Sequence, residues 1–268
     1  MRLFAAPLIV ALAPALAACS GPAAPPALPV SPVAPLMLTV VATYPHDRGA
    51  FTEGLLLHQG KLYESTGMYG TSSVREVELE SGRVLRHAEI ENDQFGEGLA
   101  LVGDRLFQLT YQAEIGWEWD LATFTRKRTF SYRGEGWGLT FDGVNLIQSD
   151  GSSRLTFRSP ADFAIVKELQ ILRAGKPQFY INELEWVRGE IWANVWQSDE
   201  ILRIDPVSGI VTGVVDASQL LLPEEREKTD VLNGIAWDPD RGLFLLTGKY
   251  WPKLFAVKIT PIHDAVAH

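Results

Sequence analysis

Two carboxylates in matching settings are the residues of this chain most capable of chemistry. Glu53 lies in Phe51-Thr52-Glu53-Gly54-Leu55 and Glu97 in Phe95-Gly96-Glu97-Gly98-Leu99. Two carboxylic acids brought together cannot both ionise cheaply, so the pair keeps a proton available, which is the equipment of general acid–base catalysis. Three more stretches align with these two: Gly136-Trp137-Gly138-Leu139-Thr140, Ile181-Asn182-Glu183-Leu184-Glu185 and Leu232-Asn233-Gly234-Ile235-Ala236. At the position of the two glutamates they carry Trp137, Asn182 and Asn233. Taken singly, a Trp is more often core than ligand wall, and Asn before Gly is ordinary turn chemistry. The glutamates are harder to dismiss, because a carboxylate in a buried channel is costly unless it is paired or wet.

The spacing says what must position these residues. Aligned at Gly54, Gly98, Gly138, Glu183 and Gly234, the five copies lie 44, 40, 45 and 51 residues apart. A second column follows each: Lys61-Leu62-Tyr63, Arg105-Leu106-Phe107, Asn145-Leu146-Ile147, Glu190-Ile191-Trp192 and Gly242-Leu243-Phe244. A period of roughly 40 to 50 residues built of short strands is that of a β-propeller blade. The expected fold is therefore all-β, a five-bladed β-propeller with four antiparallel strands per blade. Alternating or β-branched runs bounded by Gly, Asp, Asn and Pro support this. Ala217 to Lys228 is an insertion, with Ser218 expected to cap a helical turn through Gln219-Leu220-Leu221. The fifth blade lacks a fourth strand, and Leu38 to Tyr44 is an orphan of the right length. It is expected to pair beside Leu254 to Ile259, closing the ring and covering open edges.

Propeller geometry turns the columns into a site. The first strand of each blade lines the channel and the second runs antiparallel to it, so the entrance of one and the exit of the other open on the same face. The second-strand exits add Thr66, Thr110 with Tyr111, Asp150 with Ser152, Trp196, and Thr247 with Lys249. Two carboxylates, two amides, aromatic walls and a lysine would converge on one mouth.

The remaining segments bear on location. Residues 1–18 hold an early Arg2 and an apolar run, the pattern of a signal peptide and too short for a spanning helix. Leu16-Ala17-Ala18-Cys19 resembles the lipobox of bacterial lipoproteins, and Cys19 is the single cysteine of 268 residues. Lipidation of Cys19 would leave no thiol for a disulfide, and its acyl chains would anchor the chain to membrane. Residues 19–36 form a Pro/Ala-rich tether; residues 37–262 are the expected propeller and residues 263–268 a tail. The expected location is the bacterial cell envelope, with the domain facing the periplasm. A net charge of −9 argues against nucleic acid as a partner.

The same residues carry a specific resemblance. The five stretches above, with Glu64-Ser65-Thr66-Gly67-Met68-Tyr69-Gly70, Ser149-Asp150-Gly151-Ser152, Ala193-Asn194-Val195-Trp196, Ile204-Asp205-Pro206 and Thr247-Gly248-Lys249-Tyr250-Trp251-Pro252, resemble the plant and bacterial glutaminyl-peptide cyclotransferases, in order over nearly all of residues 38–259. The resemblance implies a five-bladed propeller that converts the N-terminal glutamine of peptides or proteins to pyroglutamate, releasing ammonia. It implies Glu97 as catalytic acid/base, Asn182 and Lys249 as polar groups around the substrate amide, and Trp137 and Trp196 as aromatic wall. Phe51, Glu53, Thr66, Tyr111, Asp150 and Asn233 complete the expected substrate-binding set. Glu53 stands where the best-known plant pattern has Gln, and Tyr111 where it has Trp. The scheme needs no cofactor, and the five histidines lack ligand spacing; a structural ion in the channel is left open. A monomer is expected. Two rivals stand beside this reading: a metal-dependent propeller lactonase or hydrolase using Glu53, Glu97, Asn182 and Asp150 as oxygen ligands, and a non-catalytic envelope propeller that only binds.

Overall fold

The computed structural model describes residues 32–262. The signal-peptide pattern, Cys19, most of the tether and the tail lie outside the described residues. β1 (Ala34–Pro45) is followed by a first sheet of β2 (Thr52–His58), β3 (Lys61–Thr66), β4 (Ser73–Glu78) and β5 (Arg83–Glu89). A second holds β6 (Gly96–Val102), β7 (Arg105–Thr110), β8 (Ile115–Asp120) and β9 (Arg126–Ser131). A third holds β10 (Leu139–Phe141), β11 (Leu146–Gln148), β12 (Arg154–Arg158) and β13 (Ile165–Gln170). After a two-stranded ribbon, β14 (Leu172–Arg173) and β15 (Lys176–Pro177), come β16 (Ile181–Val187), β17 (Glu190–Val195), β18 (Glu200–Ile204) and β19 (Val211–Asp216). A single helical turn, α1 (Pro223–Arg226), precedes β20 (Leu232–Asp238), β21 (Leu243–Gly248) and β22 (Lys253–Pro261). Among the described residues no helix is long and apolar enough to cross a membrane.

β1 pairs antiparallel with β22, Leu38 opposite Ile259 and Tyr44 opposite Leu254, the partner expected for this orphan strand. Its first residues do something the sequence did not suggest. Ala34, Pro35 and Leu36 pair in parallel with Gly213, Val214 and Val215 of β19, so β16–β19 and β20–β22 join through β1 into one eight-stranded sheet. Residues 34–36 are thus strand rather than tether. Pro35 is tolerated because pairing with β22 begins only at Leu36, so at Pro35 the missing N–H faces no second ladder.

The helical turn is also displaced. Ser218 takes no capping role; its N–H bonds Asp216 Oδ1 at 2.8 Å, and helix begins at Pro223, whose fixed φ suits the first helical position. The Glu225 carboxylate accepts the Leu222 N–H at 3.1 Å, while Leu220 and Leu221 turn inward to the core.

Successive sheets pack face to face. Leu56, Tyr63 and Val74 of the first meet Leu99, Leu106 and Trp119 of the second, and Ala100 and Phe107 of the second meet Leu139 and Leu146 of the third. The first three strands of the first two sheets are buried on both faces, whereas β5 alternates and β9 is mostly exposed. The first strands touch one another where their glycines lie. A Cβ on Gly98 would come 2.4 Å from Leu139 N, and one on Gly138 2.1 Å from Asn182 O, distances no side chain could occupy. In the fourth copy Glu183 replaces the glycine and is fully buried. Its carboxyl accepts Ile235 N–H at 2.8 Å and Leu55 N–H at 3.3 Å, tying β16 to β20 and β2.

Candidate active site

In four of the five copies the repeated motif is a β-bulge. Register shifts fall between Thr52 and Gly54, Gly96 and Leu99, Ile181 and Leu184, and Leu232 and Ile235. A bulge carries an unpaired residue and re-aims its side chain; the residues so released are Glu53, Glu97, Asn182 and Asn233. This explains how glutamates within strands come to face a cavity rather than a neighbouring sheet.

The cavity, about 250 Å³, is lined by Phe51, Glu53, Tyr69, Phe95, Glu97, Tyr111, Trp137, Asn182, Trp196 and Lys249. Eight of the eleven residues expected for catalysis and substrate binding meet here. Lys249 Nζ lies 2.6 Å from Glu53 Oε1 and 4.4 Å from the centre of the Phe51 ring. The Glu53 and Glu97 carboxyls are within hydrogen-bonding reach of each other. The Asn182 amide lines the cavity, and its Oδ1 has no partner among the described residues.

Three expected binders stand elsewhere. Asn233 is buried behind Glu53, its Nδ2 donating to Glu53 Oε2 at 3.0 Å and to Thr52 O at 2.9 Å. Thr66 is buried against β4, with Oγ1 2.8 Å from Ser73 Oγ. Asp150 is exposed and accepts the Ser152 N–H at 3.0 Å, as a turn residue does. Of the four oxygen ligands of the metal-dependent rival, Glu53, Glu97 and Asn182 line the cavity and Asp150 does not. Among the described residues no group of three or more His, Cys, Asp or Glu is arranged to hold a metal ion.

Tyr69 and Phe95 line the cavity but were not among the expected residues. Phe95 had a signal: it occupies the position in the second copy that Phe51 holds in the first. The two rings meet edge to face at 5.8 Å, and Tyr69 packs on Phe95 at 5.5 Å. Tyr69 belongs to the loop after β3, residues 67–72, which is longer than the corresponding loops 111–114, 149–153, 196–199 and 249–252. Trp137 and Trp196 do not form the two facing walls of a slot. Their ring centres are 5.7 Å apart with planes at 76°, an edge-to-face corner. Trp137 Nε1–H bonds Glu135 Oε2 at 3.0 Å, which fixes the ring.

Burial dominates the electrostatics. It pushes the Glu53 carboxyl up to about 7, against the pull of the Lys249 ammonium. It pushes Glu97 well above the carboxylate range, and the Glu53 charge adds to the rise. Of the two, Glu97 is the member held higher, and Glu53, with a cation and an amide on its two oxygens, is the one that ionises first. The arrangement holds an acid and a base side by side in an aromatic cage.

Comparison with known proteins gives the same direction. The family model described as glutamine cyclotransferase matches residues 10–259. The chain is 44% identical over 227 residues to a glutaminyl-peptide cyclotransferase of Arabidopsis thaliana, covering 83% of this chain and 71% of that protein. The crystal structure of Myxococcus xanthus glutaminyl cyclase is 40% identical and superposes with a TM-score of 0.78, covering 86% of this chain and all of the other. With its bulged glutamates, aromatic cage and lysine set in that common frame, the chain belongs to the glutamine cyclotransferase family.

Proposed function

We propose that this protein is a glutaminyl-peptide cyclotransferase in which Glu53 and Glu97 act as one proton-transfer unit. The observation that carries the mechanism is the pair of carboxyls in mutual reach inside an aromatic cavity. A peptide α-amine has a pKa of about 7.7 to 8.0, so part of it is free at neutral pH. Ring closure then requires that it be folded onto its own side-chain carbonyl. The Trp137–Trp196 corner supplies one side of that mould and Phe51 with Phe95 the other. The α-nitrogen forms a bond to the γ-carbonyl carbon, and the bond from that carbon to the side-chain NH₂ breaks. The ionised carboxylate takes one proton from the amine, and protonated Glu97 gives one to the departing NH₂, which leaves as ammonia. The pair ends with one proton, as it began. Asn182 is the group best sited to bond the carbonyl oxygen as its charge develops. Lys249, neutralised by Glu53, acts chiefly by keeping that carboxylate ionised.

Ammonia release from a peptide with N-terminal glutamine tests the reading, with Glu97→Gln as the decisive variant. Its kcat is expected to fall by about 10² to 10⁴, the usual worth of general acid–base catalysis, while the thermal unfolding midpoint stays put. An unchanged rate would remove Glu97 from the mechanism. A metal chelator should leave the wild-type rate intact; its abolition would favour the metal-dependent hydrolase.

The scaffold reading goes with it. Five aligned stretches, three four-stranded sheets and an eight-stranded sheet divisible at β1 support a closed five-bladed propeller. So does the approach of the last first-strand to the earliest, where a Cβ on Gly234 would lie 3.2 Å from Thr52 Cγ2. The partners in this reading are peptides or proteins with N-terminal glutamine, met by a monomer held to the cell envelope through Cys19. A crystal structure with β20 and β2 apart would overturn the closed ring, and light scattering at twice the monomer mass would overturn the monomer.

A further inference from the structure

The other end of the strands carries a second cleft, of about 250 Å³. It opens where β16 turns into β17 at Arg188-Gly189 and β20 into β21 at Arg241-Gly242, some 20 Å along β16 from Asn182 at strand rise. Its floor is aromatic: Phe244 meets Trp192 at 4.6 Å and Trp237 at 4.9 Å between ring centres. Its rim is cationic. Arg188, Arg203 and Lys258 line it against one carboxylate, Glu190. The Glu190 charge is spent on Arg203, at 3.6 Å. Arg188 lies over the Trp237 ring at 5.0 Å, and among the described residues neither it nor Lys258 is in an ion pair. A local positive excess in a chain of net charge −9 is notable chemistry.

A second observation points to an acceptor. Trp192, one of the lining residues, has a buried indole Nε1–H with no partner among the described residues. Buried donors are nearly always satisfied, and an indole can only donate. Guanidinium and ammonium donors around an aromatic floor, with the unpartnered indole N–H of Trp192 buried within that floor, suit a phosphate oxyanion that carries an organic group, the anion for which the Arg fork is best shaped.

The position of the cleft narrows the source. Leu36, beside the start of β1, lines the same cleft. The described chain therefore begins at this end, and the catalytic cavity opens at the other. We propose that this cleft binds a phosphate ester, and that its ligand is the headgroup of an anionic phospholipid, with Arg188 and Lys258 on the phosphate and the aromatic floor under the glycerol. Juxtamembrane basic clusters work in this way. The site would set the domain upright on the bilayer with the catalytic mouth facing away.

The test uses the full chain, titrated with inorganic phosphate, with glycerol 3-phosphate, and with phosphatidylcholine vesicles with and without phosphatidylglycerol. The ¹⁵N signal of the Trp192 indole, assigned through Trp192→Phe, reports occupancy, and vesicle flotation reports membrane binding. Glycerol 3-phosphate should shift the indole signal more strongly than inorganic phosphate. Anionic vesicles should be preferred, and Arg188→Glu/Lys258→Glu should cut that preference by about tenfold or more with ammonia release unchanged. Equal response to both phosphates without vesicle preference would keep the oxyanion site and overturn the lipid source. No indole shift with any probe, or full vesicle preference in the double variant, would overturn the site.

Discussion

The ammonium of Lys249 stands 2.6 Å from Oε1 of Glu53, while Asn233 Nδ2 donates to Oε2 at 3.0 Å. Both oxygens of one acid are thus given partners that favour its anion, and the neighbouring acid is left with the proton. The lysine that the family resemblance puts beside the substrate amide is tied, in this chain, to a glutamate that stands where a glutamine is expected.

Glu53→Gln tests that division of labour. Loss of the Glu53 charge removes a repulsion that helps hold the Glu97 pKa up, and it leaves Lys249 free to lower that pKa further. Both changes act in the same direction. The alkaline limb of kcat/KM, where Glu97 loses its proton, is expected to move to lower pH, while the limb set by the substrate amine is common to both proteins. An alkaline limb that stays in place would show that Glu53 does not set the proton on Glu97.

Gly151 carries a different prediction. Its φ is +77°, and a Cβ there would come 2.7 Å from the Trp137 ring. Gly151→Ala should therefore push the indole off the Trp196 corner and lower kcat/KM, by up to about 10² if the shift reaches 1 Å. Asp150→Asn next door should alter neither kcat nor KM, because that exposed side chain only closes its own turn. Equal effects of the two variants would contradict this reading.

These residues show how far the sequence could be read. Repeats located the level of the site, because in four of the five copies the recurring motif is a bulge, which releases Glu53, Glu97, Asn182 and Asn233 alike, while the third copy brings Trp137 to the cavity from just ahead of its first strand. Repeats could not give direction. Thr66 and Lys249 both stand at the exits of second strands at the same end, yet Thr66 folds onto Ser73 and Lys249 reaches Glu53. Tyr69 was missed because it stands third in a loop that is longer in the first copy than in the others, so it does not fall in the column of strand exits. The parallel pairing of residues 34–36 was hidden by proline content, which reads as tether wherever the number of neighbouring strands is unknown.

Cys19→Ser tests the anchor. Acyl chains are expected on Cys19, each buried CH₂ contributing about 0.8 kcal/mol to membrane binding. In the variant, the protein should leave the membrane fraction while ammonia release per molecule stays the same. Membrane retention equal to wild type would assign anchoring to another feature.

The last prediction concerns stability and rests on Glu185, beside the buried Glu183. Glu185 Oε1 accepts the Trp237 N–H at 2.8 Å, yet burial still pushes its carboxyl up to about 8 from an ordinary 4.5. A group whose folded pKa lies above its unfolded value binds its proton more tightly when folded. Its contribution to stability is whole below pH 4.5 and is lost as pH rises towards 8. Glu64 has the opposite sign: Arg75 and His46 hold it below the usual range despite burial, so its contribution fades as pH falls. The total curve mixes the two, and the difference between proteins isolates one. Glu185→Gln keeps an oxygen for Trp237 and cannot ionise. Relative to wild type its unfolding midpoint should rise steadily between pH 4.5 and 8. Parallel curves across that window would mean that Glu185 stays ionised in the fold, and that its bond to the Trp237 amide outweighs the loss of water.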